Sequence, residues 1–557
     1  MLQTLENPAA NKRAEGAARK RRLSICLINP RFEPSFWGYE FAAPLMLGNK
    51  RSNNPGTALL TLAALAPGHC DVTIIDENVD PIDYAELHRF DVIGVTGMIV
   101  QAQRMREILL ELKKLPAIVA IGGPFVTVAE SRFEGLSHVR FIGESEETWP
   151  AFLEALATGA QIKERYEQAD KTDMRTVPVL RLDLIKAADY AMATLQFSRG
   201  CPFLCEFCDI ITMLGRRPRT KSVEQMIKEF DAVRDAGFRA CFLADDNFIA
   251  NKKEAKALLR ALLEWQKSNG FPLQLYTEAS INLADDSELI DLMYQANFRQ
   301  VFVGIETPRK ASLKETRKVQ NLAGDSMEAK IQRIRDGGLV VIAGFIVGFD
   351  NDDEAIFDEQ FDFIQRTGIA QASVGLLTPI PTTPLYDRLK AEGRLDFSDP
   401  DVFFHPKQMT KERLKDGHAE LTRRLYEAEA FFERLFGGYL GSPGYRMREA
   451  ARNRLTRGRP TIGQHLRRIT AGLIEAGNLA VALAREGKLG LGGIYLKVWL
   501  CRNLPLGRSA LGLDAFARLC IVHWHFYKVV RLRRGLFGAA EGQHQSDTVT
   551  RALAPAE

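Results

Sequence analysis

The chain has 557 residues, and its 74 lysines and arginines against 70 aspartates and glutamates leave a net charge of +4. That length exceeds one core and implies two to four domains, while the near balance of charge excludes a global polyelectrolyte role; no nucleic acid partner is expected. Of 8 cysteines, three fall within eight residues and five are scattered among apolar neighbours, which is not a secreted disulfide framework.

Residues 1–22 are polar or small and end in Arg19-Lys20-Arg21-Arg22, a pattern read as a disordered basic tail. The apolar stretch that follows, Leu23 to Asn29, is only a strand's length, so no signal peptide is expected and the protein reads as cytoplasmic.

From 23 to 165, five short apolar runs alternate with helix-like stretches: Leu23–Ile28, Val72–Asp76, Val92–Thr96, Ile118–Ile121 and Val139–Ile142. Continuous apolar strands alternating with helices predict an α/β domain with a doubly wound parallel sheet. Ligands of such sheets rest beyond the carboxyl ends of the strands, which places a binding site at Thr96-Gly97, Gly122-Gly123 and Gly143-Glu144. Two adjacent glycines let a ligand approach the backbone closely. A degenerate domain of this kind that binds nothing is the alternative.

Residues 166–192 turn polar and irregular and are read as a linker. The segment 193–395 opens on Gln196-Phe-Ser-Arg-Gly-Cys201-Pro-Phe-Leu-Cys205-Glu-Phe-Cys208. A CxxxCxxC loop can turn three thiolates toward one face of a [4Fe–4S] cube, leaving one iron without a protein ligand. A structural zinc site is the alternative, but zinc usually takes four ligands in paired spacing, and no other His or Cys lies nearby. Strand-then-helix units follow, with helices expected over Ser222–Ala236 and Lys253–Trp265 and strands ending at Asp245-Asp246, Glu278, Glu306 and Asp350, before a last strand at Ala372. Repeated units with polar groups at strand ends describe a full or partial βα barrel.

The segment 396–540 shows helical spacing, as in Lys411–Phe436 and Gln464–Glu486, and residues 541–557 read as a disordered tail. The stretch Phe516 to Lys528, continued by Arg531, Arg533 and Arg534, is apolar, aromatic and basic. It is too interrupted to span a membrane and reads either as a core helix with a solvated basic end or as a segment on an anionic membrane surface. His523 and His525 are two apart, so on a helix they diverge and do not form a metal site.

The cysteine loop, with Phe207 before its last thiol, closely resembles that of the radical S-adenosylmethionine (SAM) superfamily. The resemblance implies a partial (βα)6 barrel, and a cluster on Cys201, Cys205 and Cys208 whose fourth iron binds the amino and carboxylate groups of SAM. It further implies that Phe207 packs at the adenine and that the acidic strand ends Asp245, Asp246, Glu278 and Glu306 lie in reach of the cofactor. The stretch Gly344-Phe-Ile346-Val-Gly348 resembles the GxIxGxxE pattern that backs the adenine, although its acidic position falls on Asn351.

The order of turns from Pro55-Gly56 through Thr96-Gly97, Gly122-Gly123 and Gly143-Glu144 resembles the cobalamin-binding domain of class B radical SAM enzymes. One departure is the missing DxHxxG box, so no protein histidine is expected on cobalt. Over most of its length, including the helical domain after the core, the chain resembles cobalamin-dependent radical SAM methyltransferases of the hopanoid and bacteriochlorophyll type. What this implies is a 5′-deoxyadenosyl radical that takes hydrogen from an unactivated carbon, a methyl group delivered from methylcobalamin, and a second SAM that restores it. No general base is named. It also implies a small, hydrophobic substrate of lipid or tetrapyrrole type and an electron donor such as flavodoxin or ferredoxin, while the apolar, basic C-terminal stretch is what would allow peripheral contact with the inner membrane face. A non-methylating oxidative cyclase with both cofactors, and a redox or cobalamin sensor that makes no 5′-deoxyadenosine, are the alternatives.

Overall fold

The computed structural model describes residues 20–48, 50–399, 401–457, 461–503 and 512–538. The tails expected at 1–22 and 541–557 lie outside the described residues, apart from 20–22.

The N-terminal domain is a six-stranded parallel sheet of order β2-β1-β3-β4-β5-β6, with β1 Leu23–Asn29, β2 Cys70–Asp76, β3 Val92–Thr96, β4 Ile118–Gly122, β5 Val139–Ile142 and β6 Arg165–Glu167. Helices α1 Thr57–Leu65, α2 Ala102–Leu112, α3 Pro124–Val128 and α4 Thr148–Thr158 cover it. Met105, Ile108 and Leu109 of α2 pack with Ile28, Ile93 and Ile121 in one core. Leu59, Trp149 and Phe152 pack with Leu27, Val92 and Phe141 in another. Both faces are buried, which is why these strands read as unbroken apolar runs. The sixth strand, Arg-Tyr-Glu at the sheet edge, has exposed charged residues at both ends, and no apolar run announces it.

The second domain is an open barrel of six parallel strands, β14-β13-β12-β11-β10-β7. Its strands are β7 Ala193–Leu195, β10 Ala240–Leu243, β11 Gln274–Glu278, β12 Phe298–Glu306, β13 Val340–Val347 and β14 Ala372–Leu376. A two-stranded ribbon, β8 Ser198–Arg199 and β9 Arg219–Thr220, carries the cysteine loop and the single turn α5 Ile210–Met213. Outside lie α6 Val223–Asp235, α7 Lys252–Ser268, α8 Ser287–Gln295, α9 Lys310–Glu315, α10 Met327–Asp336 and α11 Ile356–Thr367, with α12 Pro384–Ala391 at the exit. Capping fixes their starts: Ser222 and Gln225 form a capping box at α6, and the Asn251 side chain accepts from Glu254 N–H at α7, satisfying amides that have no partner within the helix.

Among the described residues six helices follow: α13 Lys411–Leu425, α14 Ala428–Gly438, α15 Pro443–Arg457, α16 Ile462–Arg485, α17 Leu489–Asn503 and α18 Leu513–Gly538. The single helix expected over Lys411–Phe436 breaks at Tyr426-Glu427. The Tyr426 hydroxyl accepts from Ala372 N–H at 3.2 Å and donates to Ala372 C=O at 2.8 Å, tying the break to β14. Helix α18 buries Phe516, Cys520, Ile521, Trp524, Phe526 and Val529, so of the two readings of that stretch the core helix holds. His523 and His525 are buried too, burial pushing their pKa values down to about 3 and about 4; His523 Nδ1 lies 2.6 Å from the Tyr495 hydroxyl and His525 Nε2 lies 2.9 Å from Ser35 C=O. Cys501 is exposed, unlike the buried Cys26, Cys241 and Cys520. Among the described residues no helix is long and apolar enough to cross a membrane.

One connection joins all three domains. The strap between β1 and α1 leaves the first sheet and crosses the barrel, placing the Trp37 ring edge-on to Phe302 at 5.4 Å and stacking Tyr39 on His525 at 5.2 Å.

Candidate functional site

The carboxyl edge of the first sheet and the ends of β7 and β10 in the barrel face one cavity of about 490 Å³, which is bounded by the cysteine ribbon but not lined by Cys201, Cys205 or Cys208. From the first domain it is lined by Thr96, Gly122, Gly123, Gly143 and Glu144; from the barrel side come Arg199, Met213, Lys221 and Asp246. The lining is mostly apolar, with Leu62, Met98, Phe141 and Trp149 among it.

The glycines on the first edge are there for space. Gly123 has φ +98, and a Cβ there would stand 2.3 Å from Thr96 Oγ1. Gly143 has φ +72 and its N–H donates to Thr127 Oγ1 at 3.0 Å, and a Cβ on it would meet nothing. That side of Gly143 is open to a ligand. Gly97 lies one layer below, with its carbonyl accepting from Phe125 N–H at 3.2 Å, and does not line the cavity. The domain's histidines all sit at the other edge: His69 precedes β2, His88 precedes β3 and His138 precedes β5. This edge therefore suits a broad, flat group that needs backbone access and offers no imidazole.

The Glu144 carboxylate has a further task. One oxygen accepts from Arg199 at 2.7 Å and Arg219 at 3.0 Å, and the other accepts from Thr172 N–H at 3.1 Å. Arg199 also reaches Glu146 at 2.6 Å. These buried pairs clamp the first sheet to the cysteine ribbon. Arg199 stands two residues before Cys201 in the sequence, but nothing in the local pattern names its partners.

On the barrel side the loop is set by backbone bonds: Cys201 N–H to Gly215 C=O at 3.2 Å, Cys208 N–H to Cys205 C=O at 3.1 Å and Glu206 N–H to Thr316 C=O at 3.1 Å. Gly200, at φ +94, leaves no room for a Cβ, which would lie 2.8 Å from Arg217 C=O. Cys205 is buried, and Gln320 Nε2 lies 3.5 Å from its sulfur. Burial raises the thiol of Cys201 and pushes that of Cys208 up to about 12, with Lys318 opposing both. Among the described residues no three His, Cys, Asp or Glu side chains converge on a single-ion position.

Phe207 is half-buried, 6.1 Å from Phe349 and 5.8 Å from Lys318 Nζ by ring centroid. The strand-end acids divide into two kinds. Asp245 Oδ1 accepts from Phe197 N–H at 2.7 Å and Ser198 N–H at 2.8 Å, while its buried Oδ2 has no partner among the described residues. Asp246 accepts from Gly200 N–H at 2.7 Å and lines the cavity. Burial pushes Asp245 up to about 7, and burial with Asp246 beside it pushes Glu278 up to about 7. These carboxyls wait for a cation or a hydrogen-bond donor.

Glu306, by contrast, already holds one. It sits at φ +65, a left-handed conformation costly for a residue with a Cβ, and pairs with Lys318 Nζ at 2.6 Å. A Cβ on Gly304 would come within 2.4 Å of its oxygen. Lys318 and Gln320 belong to a short stretch after α9 that sequence spacing does not mark.

On β13, a Cβ at Gly344 would lie 2.8 Å from the Phe302 ring, Ile346 is half-buried against the core, and Gly348 turns at φ +111. The acidic residue that holds this turn is Asp352, one past the pattern's position: its Oδ2 accepts from Gly348 N–H and Phe349 N–H, both at 3.0 Å. Asp350 instead pairs with Arg388 at 2.7 Å, Arg394 at 2.7 Å and Lys407 at 2.8 Å. Asn351 donates to Glu315 at 2.6 Å.

Comparison with known proteins places models of the radical SAM superfamily on residues 195–364, of the B12 binding domain on 49–153 and of a domain of unknown function (DUF4070) on 383–477. The chain is 40% identical over 371 residues to an uncharacterized methyltransferase of Synechocystis sp., covering 66% of this chain and 68% of that one. It is 34% identical over 429 residues to the hopanoid C-2 methylase of Rhodopseudomonas palustris, covering 76% and 80%. The fold is that of the radical SAM methyltransferase TsrM from Kitasatospora setae with cobalamin and [4Fe-4S] cluster bound, at a TM-score of 0.56 and 18% identity over 75% of this chain and 82% of that one.

Proposed function

The chain belongs to the cobalamin-dependent radical SAM methyltransferases, an enzyme family whose cofactors are a [4Fe-4S] cluster, SAM and cobalamin, and from that premise we propose that it methylates an unactivated carbon of a hydrophobic small molecule of lipid or tetrapyrrole type. The observation that carries this reading is the one cavity shared by the first sheet's edge and the ends of β7 and β10, where Gly122 and Gly123 face Arg199 and Asp246. When bound, the cluster supplies one electron to the sulfonium of SAM and the corrin supplies the transferable methyl group.

The residues present fit those groups. Cys201, Cys205 and Cys208 would hold the cluster, since the loop is fixed by its own backbone bonds before any metal binds. Asp245, Asp246 and Glu278 would receive the ammonium and ribose hydroxyls of SAM, because Asp245 Oδ2 is buried without a partner among the described residues and Glu278 is desolvated beside Asp246. Phe207, Gly344, Ile346 and Gly348 would back the adenine, with Glu306 at the end of the neighbouring strand already charge-balanced by Lys318. Thr96, Gly122, Gly123 and Gly143 would carry the corrin on backbone and small groups, with Glu144 beside them on the cavity wall and Gly97 behind. The Arg199 clamp fixes the distance between the two halves, so the protein's part is orientation and exclusion of water.

The aromatic contact at the barrel, Trp37 of the strap edge-on to Phe302 of β12, favours an apolar substrate. The enzyme works in a reducing compartment with a one-electron donor of the flavodoxin or ferredoxin type. Its test is anaerobic purification with iron, sulfide and corrin analysis of wild type, Gly123→Val and Cys205→Ala. Wild type should hold all three, Gly123→Val should lose corrin alone, and Cys205→Ala should lose iron. Zinc in the wild-type loop overturns the reading.

A further inference from the structure

Helix α16 carries one buried row and one exposed apolar row. The first, Gly472, Glu475, Leu479 and Leu483, is buried, and Gly472 packs against the backbone of Asp514 at the start of α18. The second lies about a quarter turn round the helix. Ile462, Leu466, Ile469 and Leu473 follow one another at spacings of four, three and four, and all are exposed, Ile462 at 82%, Leu466 at 58% and Leu473 at 60%. Neighbouring α17 exposes Leu496 at 59%. Single exposed leucines need no explanation, but a helix of a soluble domain spends one apolar face on its core. A second, ordered row is surface awaiting a partner.

The charge around it is one-sided. Residues 443–503 contain twelve arginines and lysines and three glutamates. Each glutamate is committed internally: Glu449 to Arg299 at 3.1 Å, Glu475 to Arg518 at 3.0 Å, and Glu486 to Lys528. Among the described residues Arg454, Arg467, Lys488 and Lys497 are exposed and form no ion pair.

We propose that this face of α16 and α17 docks on the surface of an anionic lipid bilayer, its apolar row set into the interface and its cations among the headgroups. An interfacial helix needs this combination of an apolar face with basic flanks and no capacity to span. A second copy is disfavoured by charge, because two such faces would bring cation against cation. The position also has a use, which rests on the hydrophobic-substrate reading. The other side of α16 holds the strap, Asn478 donating to Leu45 C=O at 3.1 Å and Glu475 accepting from Leu47 N–H at 3.1 Å, and the strap's Trp37 lies on Phe302 in the barrel. A docked α16 sets the barrel mouth beside the bilayer from which an apolar substrate would come.

The test is flotation of the full-length, cofactor-loaded protein with vesicles of phosphatidylcholine alone or mixed with phosphatidylglycerol. Wild type should float with the mixed vesicles and much less with phosphatidylcholine, and salt should weaken the binding. The triple variant Leu466→Ser/Ile469→Ser/Leu473→Ser should bind at least about tenfold more weakly, and Arg467→Glu/Lys497→Glu should lose only the preference for anionic vesicles. Thermal unfolding of both should match wild type, since all five side chains are exposed. The proposal is overturned if wild type stays in the aqueous layer, if the triple variant floats as well as wild type, or if light scattering shows a dimer that the triple variant abolishes. Vesicle capture can fail while methyl transfer stands, so this outcome and that of the proposed function are separable.

Discussion

Arg199, two residues before the first cysteine of the loop, donates to Glu144 at 2.7 Å from the end of the fifth strand of the other domain. With side-chain exposures of 13% and 3%, this is a buried bond between the rim of the first sheet and the root of the cysteine loop. Breaking a buried pair from one side leaves an uncompensated charge and costs about 3 kcal/mol or more. Arg199→Ala should therefore lower the unfolding temperature by several degrees and empty the protein of corrin, with Arg199→Lys between the two. Calorimetry and the visible corrin spectrum read both effects. Retention of corrin at wild-type stoichiometry would show that the clamp does not position the site.

The same clamp fixes a sign for pH. Burial pushes the Glu146 carboxyl up, but the Arg199 guanidinium more than offsets this and holds it below its ordinary value. A depressed carboxylate stabilises fully above the unfolded value and loses that contribution as pH falls through the folded one. Wild type should thus lose stability below about pH 4.5, and Glu146→Gln should show a shallower acid limb in denaturant titrations.

Glu278 runs the other way. Burial and Asp246 push it up to about 7, so the folded, cofactor-free protein keeps its proton over a range where the unfolded chain has lost it. Stability of that form should fall between about pH 4.5 and pH 7, by up to about 3 kcal/mol, and Glu278→Gln should flatten the slope. Urea midpoints measured across that window check it. A wild-type profile that is level, or rises, contradicts the burial of an unpartnered acid here.

Lys318 and Glu306 should behave as one unit. Each single alanine variant strands a buried charge, whereas the double variant strands none, so the losses should be non-additive by at least about 2 kcal/mol. A double-mutant cycle from denaturant unfolding gives the number directly. Additive losses would mean that the 2.6 Å pair contributes no coupling.

Much of the architecture was legible because the chemistry is periodic. Buried parallel strands must be apolar throughout, so β1, β3 and β4 announce themselves, and a cluster loop must place cysteines at fixed spacing. What stayed hidden depends on distant partners. Arg199 looks like any basic residue until Glu144 is brought opposite it. The acid at the end of β13 shows the same limit: spacing pointed to Asn351, yet the chain folds Asp352 under the Gly348 turn and gives Asp350 to three cations. Helix α18 was ambiguous because the same apolar and aromatic residues suit a core or an interface, and packing with the strap decided it.

That reassignment is testable. Asp352→Ala leaves the Gly348 and Phe349 N–H groups without their acceptor; it should weaken SAM binding by about tenfold or more. Asp350→Asn should cost stability, since three cations lose their shared partner, but leave SAM affinity within about twofold. Equilibrium dialysis with labelled SAM distinguishes them, and the reverse ranking would give the role to Asp350.

The central claim is that one cavity joins a corrin cradle to a cluster loop for methyl transfer to carbon. The most direct measurement is mass spectrometry of apolar extracts from cells fed methyl-deuterated methionine, comparing wild type with a Cys205→Ala strain. The account predicts at least one apolar compound that carries an intact labelled methyl group on carbon in wild type and is replaced by its unmethylated form in the variant. Identical extracts, or a wild-type product that differs by ring closure without gaining a carbon, would contradict it.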